Sequence, residues 1–526
     1  MAFVSFRFLA LIIILFAVYF AVPKRFQWIV LLAASLVFYA SAGYVGLLFI
    51  LATSVSIYCG AMGMQAITDH NALYMKVHKE EMTKEERGQR KKRVQRKMRI
   101  VLAAILLFNF GILCMFKYLH FGNMRFIAMM GGSRLLSVSL AVPLGLSFYT
   151  FQSTGYLIDV YWGNVTAERN YFKTLLFISF FPQITQGPIS VYEDLSKELF
   201  AEHSYSYLNF SRGARRFIWG MFKKMLIADA LAPYVNGVFA NYSQYPGYIA
   251  LLAAFGYSVQ IYTDFSGYMD MACGISQIFG IKLTENFERP YFSKSIAEYW
   301  RRWHISLGVW FKRYLYFPVA MAKWNKKLGK NVSAKSKGLG RNLPAAIALI
   351  ATWAATGIWH GSTAGYVVWG LLNGAFIIVS LWTDPIFAGW KKKLKINEQA
   401  FPWRAYVTIR TFILVTFIKV LPEVGTLRDG LGLWKHAVTH LEIPAGVDAI
   451  FPDFIGYTQV FNIKLALLFT ALLFVTSLLQ RKKPLYEYME KVPWLLRIFI
   501  MAGVTLVIIG FGFAQSGGGG FMYARF

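Results

Sequence analysis

The sequence predicts an all-α polytopic membrane protein, and three observations carry that prediction. Hydrophobic residues make up 56% of its 526 residues and Asp, Glu, Lys and Arg only 15%, where a soluble domain carries roughly 25% charged residues. Apolar stretches suited to a hydrocarbon core of about 30 Å recur along the chain. The basic residues, 55 against 26 acidic, cluster in short loops between those stretches. Membrane topology therefore accounts for the formal charge of +29, and nucleic acid is not an expected partner.

In order, the apolar stretches are 8–20, 28–39, 45–58, 100–116, 138–157, 172–184, 218–239, 248–262, 343–358, 366–382, 406–420, 463–479 and 494–513. Some are short, so about eleven to thirteen spans are expected, with re-entrant or interfacial pieces among them. Residues 1–22 have the composition of a signal peptide, but Lys24 and Arg25 flank the apolar run on its C-terminal side and no small-residue cleavage site follows. A retained first helix is expected. Residues 67–98 mix acidic and basic side chains and predict a partly helical cytoplasmic basic arm. The basic clusters at 24–25, 76–97, 223–224, 312–341, 391–395 and 481–483 then lie inside, which puts the N-terminus outside the cell.

Segments 143–152 and 181–188 combine Gly and Pro with polar side chains in apolar surroundings. Broken helices lining a cavity and kinked packing helices are equally good readings of them. Residues 320–341, rich in Lys, Gly and Ser, predict a mobile cytoplasmic loop. Residues 424–460, with Pro444 and Pro452, predict an extracytoplasmic cap segment lying on the membrane surface. Gly517–Gly520 predicts a hinge before an aromatic end that anchors at the interface. No linker or repeat period divides the chain, so one membrane domain over 1–526 is expected, with its chemistry in 285–375.

That region opens on Glu285–Arg313, where charged and aromatic residues alternate too closely for a simple span. Such backbone at membrane depth requires surrounding protein or a wet cavity. Helical spacing there places Trp300, His304 and Leu307 on one face. His360 ends the apolar run 343–358 between Gly357 and Gly361. Ionisable groups inside a membrane protein are functional candidates, and a neutral imidazole accepts a hydroxyl proton near neutral pH. The alternative for each histidine is a structural, hydrogen-bonded side chain. Asp264 and Asp270 follow an apolar span and need cationic partners, for which Arg289, Arg301 and Arg302 are candidates; each carboxylate is either a salt-bridged support or an orienter of chemistry. No His/Cys spacing suggests a metal, the three cysteines form no framework, and no nucleotide loop is present.

Four passages together resemble the membrane-bound O-acyltransferase superfamily, in its bacterial branch of alginate O-acetylation subunits and teichoic-acid D-alanyl transfer proteins. They are Glu285-Asn-Phe-x-x-Pro-Tyr-Phe-x-x-Ser-Ile-x-Glu-Tyr-Trp-Arg-Arg-Trp-His-Ile-Ser-Leu307, Tyr262-Thr-Asp-Phe-Ser-Gly-Tyr268, Phe181-Pro-Gln-Ile-Thr-Gln-Gly-Pro188 and Gly357-Ile-Trp-His-Gly361. The resemblance implies a ring of helices around a central tunnel joining a cytoplasmic acyl-thioester site to an extracytoplasmic acceptor site. It implies His360 as the central catalytic residue and His304 as its companion, with Asp264, Tyr268, Trp303, Trp359 and Gln183 as tunnel or orienting residues. No permanently bound cofactor is implied; the donor is acetyl-CoA or an acyl-thioester carrier protein. The implied partners are a cell-envelope polysaccharide acceptor and an extracytoplasmic O-acetylation protein, in a bacterial inner or cytoplasmic membrane. Arg313 stands where relatives commonly have aspartate, and Asn373 where the alginate branch often has histidine. D-alanyl transfer from a carrier thioester is the enzymatic alternative, and a transporter or lipid flippase gated by the two histidines is the alternative from another class.

Overall fold

The computed structural model describes residues 3–119, 143–446 and 448–512. The start of the 138–157 stretch, and the chain from 513 with its glycine hinge and aromatic end, lie outside the described residues. Among those residues every named element is helical, and the one extended pairing is an isolated antiparallel bridge between Phe287 and Trp303. The protein is all-α and polytopic. The chain folds as two compact units, residues up to 210 with 275–283, and residues 211–274 with 284–526.

The first unit contains α1 (Phe6–Ala21), α2 (Gln27–Ala40), α3 (Tyr44–His78), α4 (Lys84–Cys114), α5 (Leu146–Trp162) and α6 (Tyr171–Ser179). Its sequence supplies explicit starts. The Ser5 hydroxyl caps α1, and Thr83 with Glu86 forms a capping box at α4, satisfying amides that a helix leaves orphaned. At 1.5 Å per residue α3 is about 52 Å long, more than a hydrocarbon core needs, so the charged arm is largely the polar continuation of two membrane helices. α5 is buried along nearly its whole length. Its Gln152 amide donates to the Phe177 carbonyl (2.5 Å) and accepts from Gln183 Nε2 (2.8 Å) and the Ser190 amide (3.3 Å). These bonds join segments 143–152 and 181–188. The 172–184 stretch breaks at Phe180, after which Phe181–Ile184 forms one short turn.

The second unit contains α7 (Tyr207–Lys223), α8 (Asp229–Ala240), α9 (Gly247–Ile278), α10 (Ile296–Arg302), α11 (Ile305–Phe311), α12 (Lys323–Lys335), α13 (Lys337–His360), α14 (Ala364–Lys393), α15 (Phe401–Val420), α16 (Leu427–Thr439), α17 (Tyr457–Leu479) and α18 (Trp494–Val507). Among the described residues six helices are long and apolar enough to cross a membrane: α3, α4 extended to Tyr118, α13, α14, α17 and the stretch Trp494–Gly512; α1 is a shorter apolar helix. Residues 320–341 are not a mobile loop. They form α12 and the start of α13, packed so closely that a Cβ at Gly340 would lie 2.2 Å from the Ser333 nitrogen. Asn325 ties the hairpin by donating to the Val319 and Pro344 carbonyls, both at 3.0 Å. The Lys-Gly-Ser composition that suggests a loop is instead a solvated helix face with a glycine contact behind it.

Candidate active site

Two breaks in helical structure position the candidate side chains. The first separates α10 from α11. Ser295 caps α10 by accepting the Glu298 amide (3.1 Å), the helix ends at Arg302, Trp303 is extended, and His304 adopts a left-handed backbone with φ 49° and ψ 51°. A left-handed non-glycine residue costs about 1–2 kcal/mol, so other contacts must hold it. They come from the preceding strand of chain: the Glu288 amide donates to the Arg302 carbonyl (2.9 Å), the Ile305 amide to the Asn286 carbonyl (3.1 Å), and the Ser306 amide to Asn286 Oδ1 (2.8 Å). Asn286 thus caps α11 from a distance in sequence. The expectation that Trp300, His304 and Leu307 share one helical face fails because the helix stops between the first and second of them.

An aromatic shell surrounds the break. Trp303 is fully buried and meets Phe287 edge-on at 5.0 Å between ring centroids, and stacks with Tyr299 at 5.6 Å. The ammonium of Lys419 on α15 lies 3.5 Å from the centre of the Trp303 ring and donates to the Tyr291 hydroxyl (3.1 Å), which in turn donates to the Ser258 carbonyl.

The second break is the end of α13 at His360. The Trp359 ring contacts both imidazoles, with its centroid 6.0 Å from that of His304 and 4.8 Å from that of His360. Phe265 also meets the His304 ring at 4.8 Å, and Trp369 that of His360 at 4.7 Å. Both histidines are buried, at 1% and 4% exposure. α13 meets α14 across small residues: a Cβ at Gly370 would lie 2.4 Å from the Trp353 carbonyl oxygen and 2.9 Å from Gly357 Cα. The close approach seats Trp369 beside His360. Asn373, one turn on, accepts from Trp300 Nε1 (2.9 Å) and donates to the Trp369 carbonyl (2.8 Å), tying α10 to the same wall.

The carboxylates are supported by different cations from those expected. Asp264, fully buried on α9, pairs with Lys224 (2.7 Å), which also reaches Asp229 (2.8 Å) from the π-helical turn Lys224–Ala228. Asp270 pairs with Lys223 (2.6 Å) and Arg216 (3.0 Å), and Arg216 also holds Glu285 through both terminal nitrogens. Of the proposed partners, Arg302 pairs with Glu298 within α10 (2.7 Å), Arg301 is exposed, and Arg289 is half-buried at a second left-handed position, φ 47°. Tyr268 is buried one turn beyond Asp264. Gln183 belongs to the first unit, in the amide cluster with Gln152 and Ser190. Among the described residues no group of three or more His, Cys, Asp or Glu is arranged to hold a metal ion.

Sequence reasoning missed Asn286, Lys419 and the cations of α7. Lys419 is a lone charge in an apolar run, a signal that intramembrane charges carry by default. Lys223 and Lys224 enter the topology as a basic cluster, although they lie inside the apolar stretch 218–239.

The arrangement is two buried imidazoles on one aromatic wall, held by backbone clamps and helix packing. Such groups can accept and return a hydroxyl proton in a water-poor site. Comparison with known proteins places this geometry in a lineage. Residues 127–418 match the family described as MBOAT, membrane-bound O-acyltransferase family. The protein named "Probable alginate O-acetylase AlgI" of Pseudomonas syringae pv. tomato is 36% identical over 307 residues, 58% of this chain and 54% of that one. Its namesake in Azotobacter vinelandii is 33% identical over 385 residues, 72% and 68% of the two chains. The teichoic acid D-alanyltransferase of Bacillus subtilis is 30% identical over 279 residues, 52% and 65%. The matched stretches thus span about half the length of some relatives and two thirds of others. The family match covers more than half of this chain and contains both histidines, Asp264, Tyr268, Trp303 and Trp359: the chain belongs to the membrane-bound O-acyltransferase family.

Proposed function

We propose that the protein takes an acyl group, acetyl from acetyl-CoA, from a cytoplasmic thioester and passes it across a bacterial inner or cytoplasmic membrane for O-acetylation of an extracytoplasmic polysaccharide. The observation that supports this best is that the buried rings of His304 and His360 both pack on Trp359, each at a break in helical structure. His360 serves as general base: its ring nitrogen takes the proton of the acceptor hydroxyl as the oxygen attacks the thioester carbonyl. The tetrahedral intermediate then expels the thiolate, to which the imidazolium returns the proton, leaving ester and free thiol. His304 orients the reacting groups across the Trp359 ring. General-base assistance supplies about a hundred- to ten-thousandfold, and the fixed geometry supplies much of the remainder. The acceptor hydroxyl belongs to the polymer itself or to an extracytoplasmic partner protein that relays the acyl group.

D-alanyl transfer from a carrier-protein thioester is the second reading, favoured by the similarity to the Bacillus subtilis D-alanyltransferase. The test is cleavage of radiolabelled acetyl-CoA by wild type, His360→Ala and His304→Ala in lipid nanodiscs with envelope polysaccharide. Histidine-dependent transfer of label supports the acetyl reading, and normal turnover by folded His360→Ala removes the role given to that residue. Cleavage of a D-alanyl carrier thioester alone selects the second reading. Movement of substrate without thioester cleavage selects transport.

A further inference from the structure

Between α12 and α13 lies a wide-open surface cavity of about 360 Å³ whose lining includes Lys326, Lys330, Ser333 and Arg341 beside Gly329 and Pro344. The positions 326, 330 and 333 repeat at helical spacing and so share one face of α12, and the glycine contact at Gly340 brings Arg341 of α13 against that face. Lys326, Lys330 and Arg341 are exposed and make no ion pair among the described residues. No Asp or Glu occurs between Glu298 and Asp384, a stretch holding eleven Lys and Arg. Lys326 and Lys330, one turn apart on α12, are a like-charged pair whose repulsion an anion between them relieves, and Arg341 lines the same cavity.

The surroundings identify the setting. Trp324, Leu328 and Leu339 are exposed large apolar side chains on the same hairpin, and α13 is itself long and apolar enough to cross the membrane. Tryptophan and basic residues at the end of such a helix mark the headgroup layer, and basic pockets between helices there suit lipid headgroups. Arg341 and His360 sit near opposite ends of α13, about 28 Å apart along its axis, so the cavity is remote from the candidate chemistry.

We propose that this cavity is a phosphate-binding site at the membrane surface, with Lys326, Lys330 and Arg341 as its cations and Ser333 as a neutral donor. Two sources carry that chemistry, the headgroup of an anionic phospholipid and the phosphates of a soluble thioester donor. The apolar flank and the distance from His360 favour the lipid. The site stands apart from the acyl-transfer reading and does not need it.

The experiment compares full-length wild type with Lys326→Gln/Lys330→Gln/Arg341→Gln, whose altered side chains are exposed and leave the fold intact, as a thermal melt in detergent checks. Native mass spectrometry after titration with phosphatidylglycerol or phosphatidylcholine reads the lipid arm; coenzyme A binding in phosphatidylcholine nanodiscs reads the soluble arm. Wild type is expected to retain phosphatidylglycerol that the variant binds about a hundredfold more weakly, with phosphatidylcholine unaffected and Lys326→Arg/Lys330→Arg retaining the lipid. Loss of coenzyme A binding with unchanged phosphatidylglycerol also supports a phosphate site and assigns it to the donor. Equal binding of both ligands by wild type and the glutamine variant overturns the proposal.

Discussion

The backbone at His304 yields a prediction that separates positioning from chemistry. Its left-handed conformation costs about 1–2 kcal/mol and is opposed by three hydrogen bonds, two of which end on Asn286. Asn286→Ala removes Oδ1 and leaves the buried Ser306 amide without its acceptor, a loss of about 1–3 kcal/mol. That is comparable with the strain it restrains, so the turn relaxes for a substantial part of the time and the imidazole leaves the Trp359 wall. Since about 1.4 kcal/mol is a factor of ten in rate, turnover is expected to fall roughly ten- to hundredfold. Asn286→Asp, which keeps an acceptor of the usual N-cap kind, is expected to retain more of it. Thioester cleavage in nanodiscs reads the rate, and hydrogen exchange at the Ser306 amide reads the clamp without reference to any substrate. Wild-type turnover together with wild-type protection of that amide in folded Asn286→Ala would refute the reasoning.

Two further substitutions test the support around the wall. Lys224→Met strips the cation from the buried Asp264 and the half-buried Asp229; breaking a buried pair by removing one partner costs about 3–5 kcal/mol. A strongly lowered melting temperature or poor accumulation is expected, recovered in part by adding Asp229→Asn and Asp264→Asn, and a melt unchanged by Lys224→Met would contradict the pairing. Gly370→Ala forces a methyl group against the Trp353 carbonyl oxygen, 2.4 Å away. Overpacking of this kind costs about 1–3 kcal/mol, and because Trp369 and His360 ride on the same two helices, activity is expected to fall with stability; a stable, fully active variant would show that the seam does not seat His360.

Much of the helical body is legible in the sequence because apolar runs long enough for membrane helices leave few alternatives. The runs at 8–20, 28–39, 366–382 and 463–479 sit inside α1, α2, α14 and α17. Less legible are the places where tertiary contact overrides periodicity. Nothing local to Trp300–Leu307 announces that the helix stops at Arg302, because the acceptors that reward the break lie on Asn286, well upstream. The 320–341 segment fails for the converse reason: its composition is that of a loop, yet glycine at 340 permits a helix contact that a larger residue would prevent. The carboxylates were legible as needing partners, but the choice of lysines and Arg216 over the nearer arginines depends on how α7 packs on α9, which spacing along the chain does not encode.

The same contrast bears on how a site of this kind holds its geometry. In many catalytic sites an acidic neighbour fixes an imidazole by a hydrogen bond, but the stretch carrying both histidines contributes no carboxylate between Glu298 and Asp384. Ring packing contributes to the orienting. Phe265 and Trp359 pack on the His304 ring, Trp359 and Trp369 on that of His360, and Asn373 ties the Trp300 ring to the backbone of α14 at Trp369. Lys419 presses on Trp303 from α15 and pins the residue before His304. A lining of this sort tolerates little change in volume, so loss of ring bulk at Trp359 or Trp369 should act on turnover as strongly as loss of a hydrogen bond does in a polar site, without removing any group that transfers a proton.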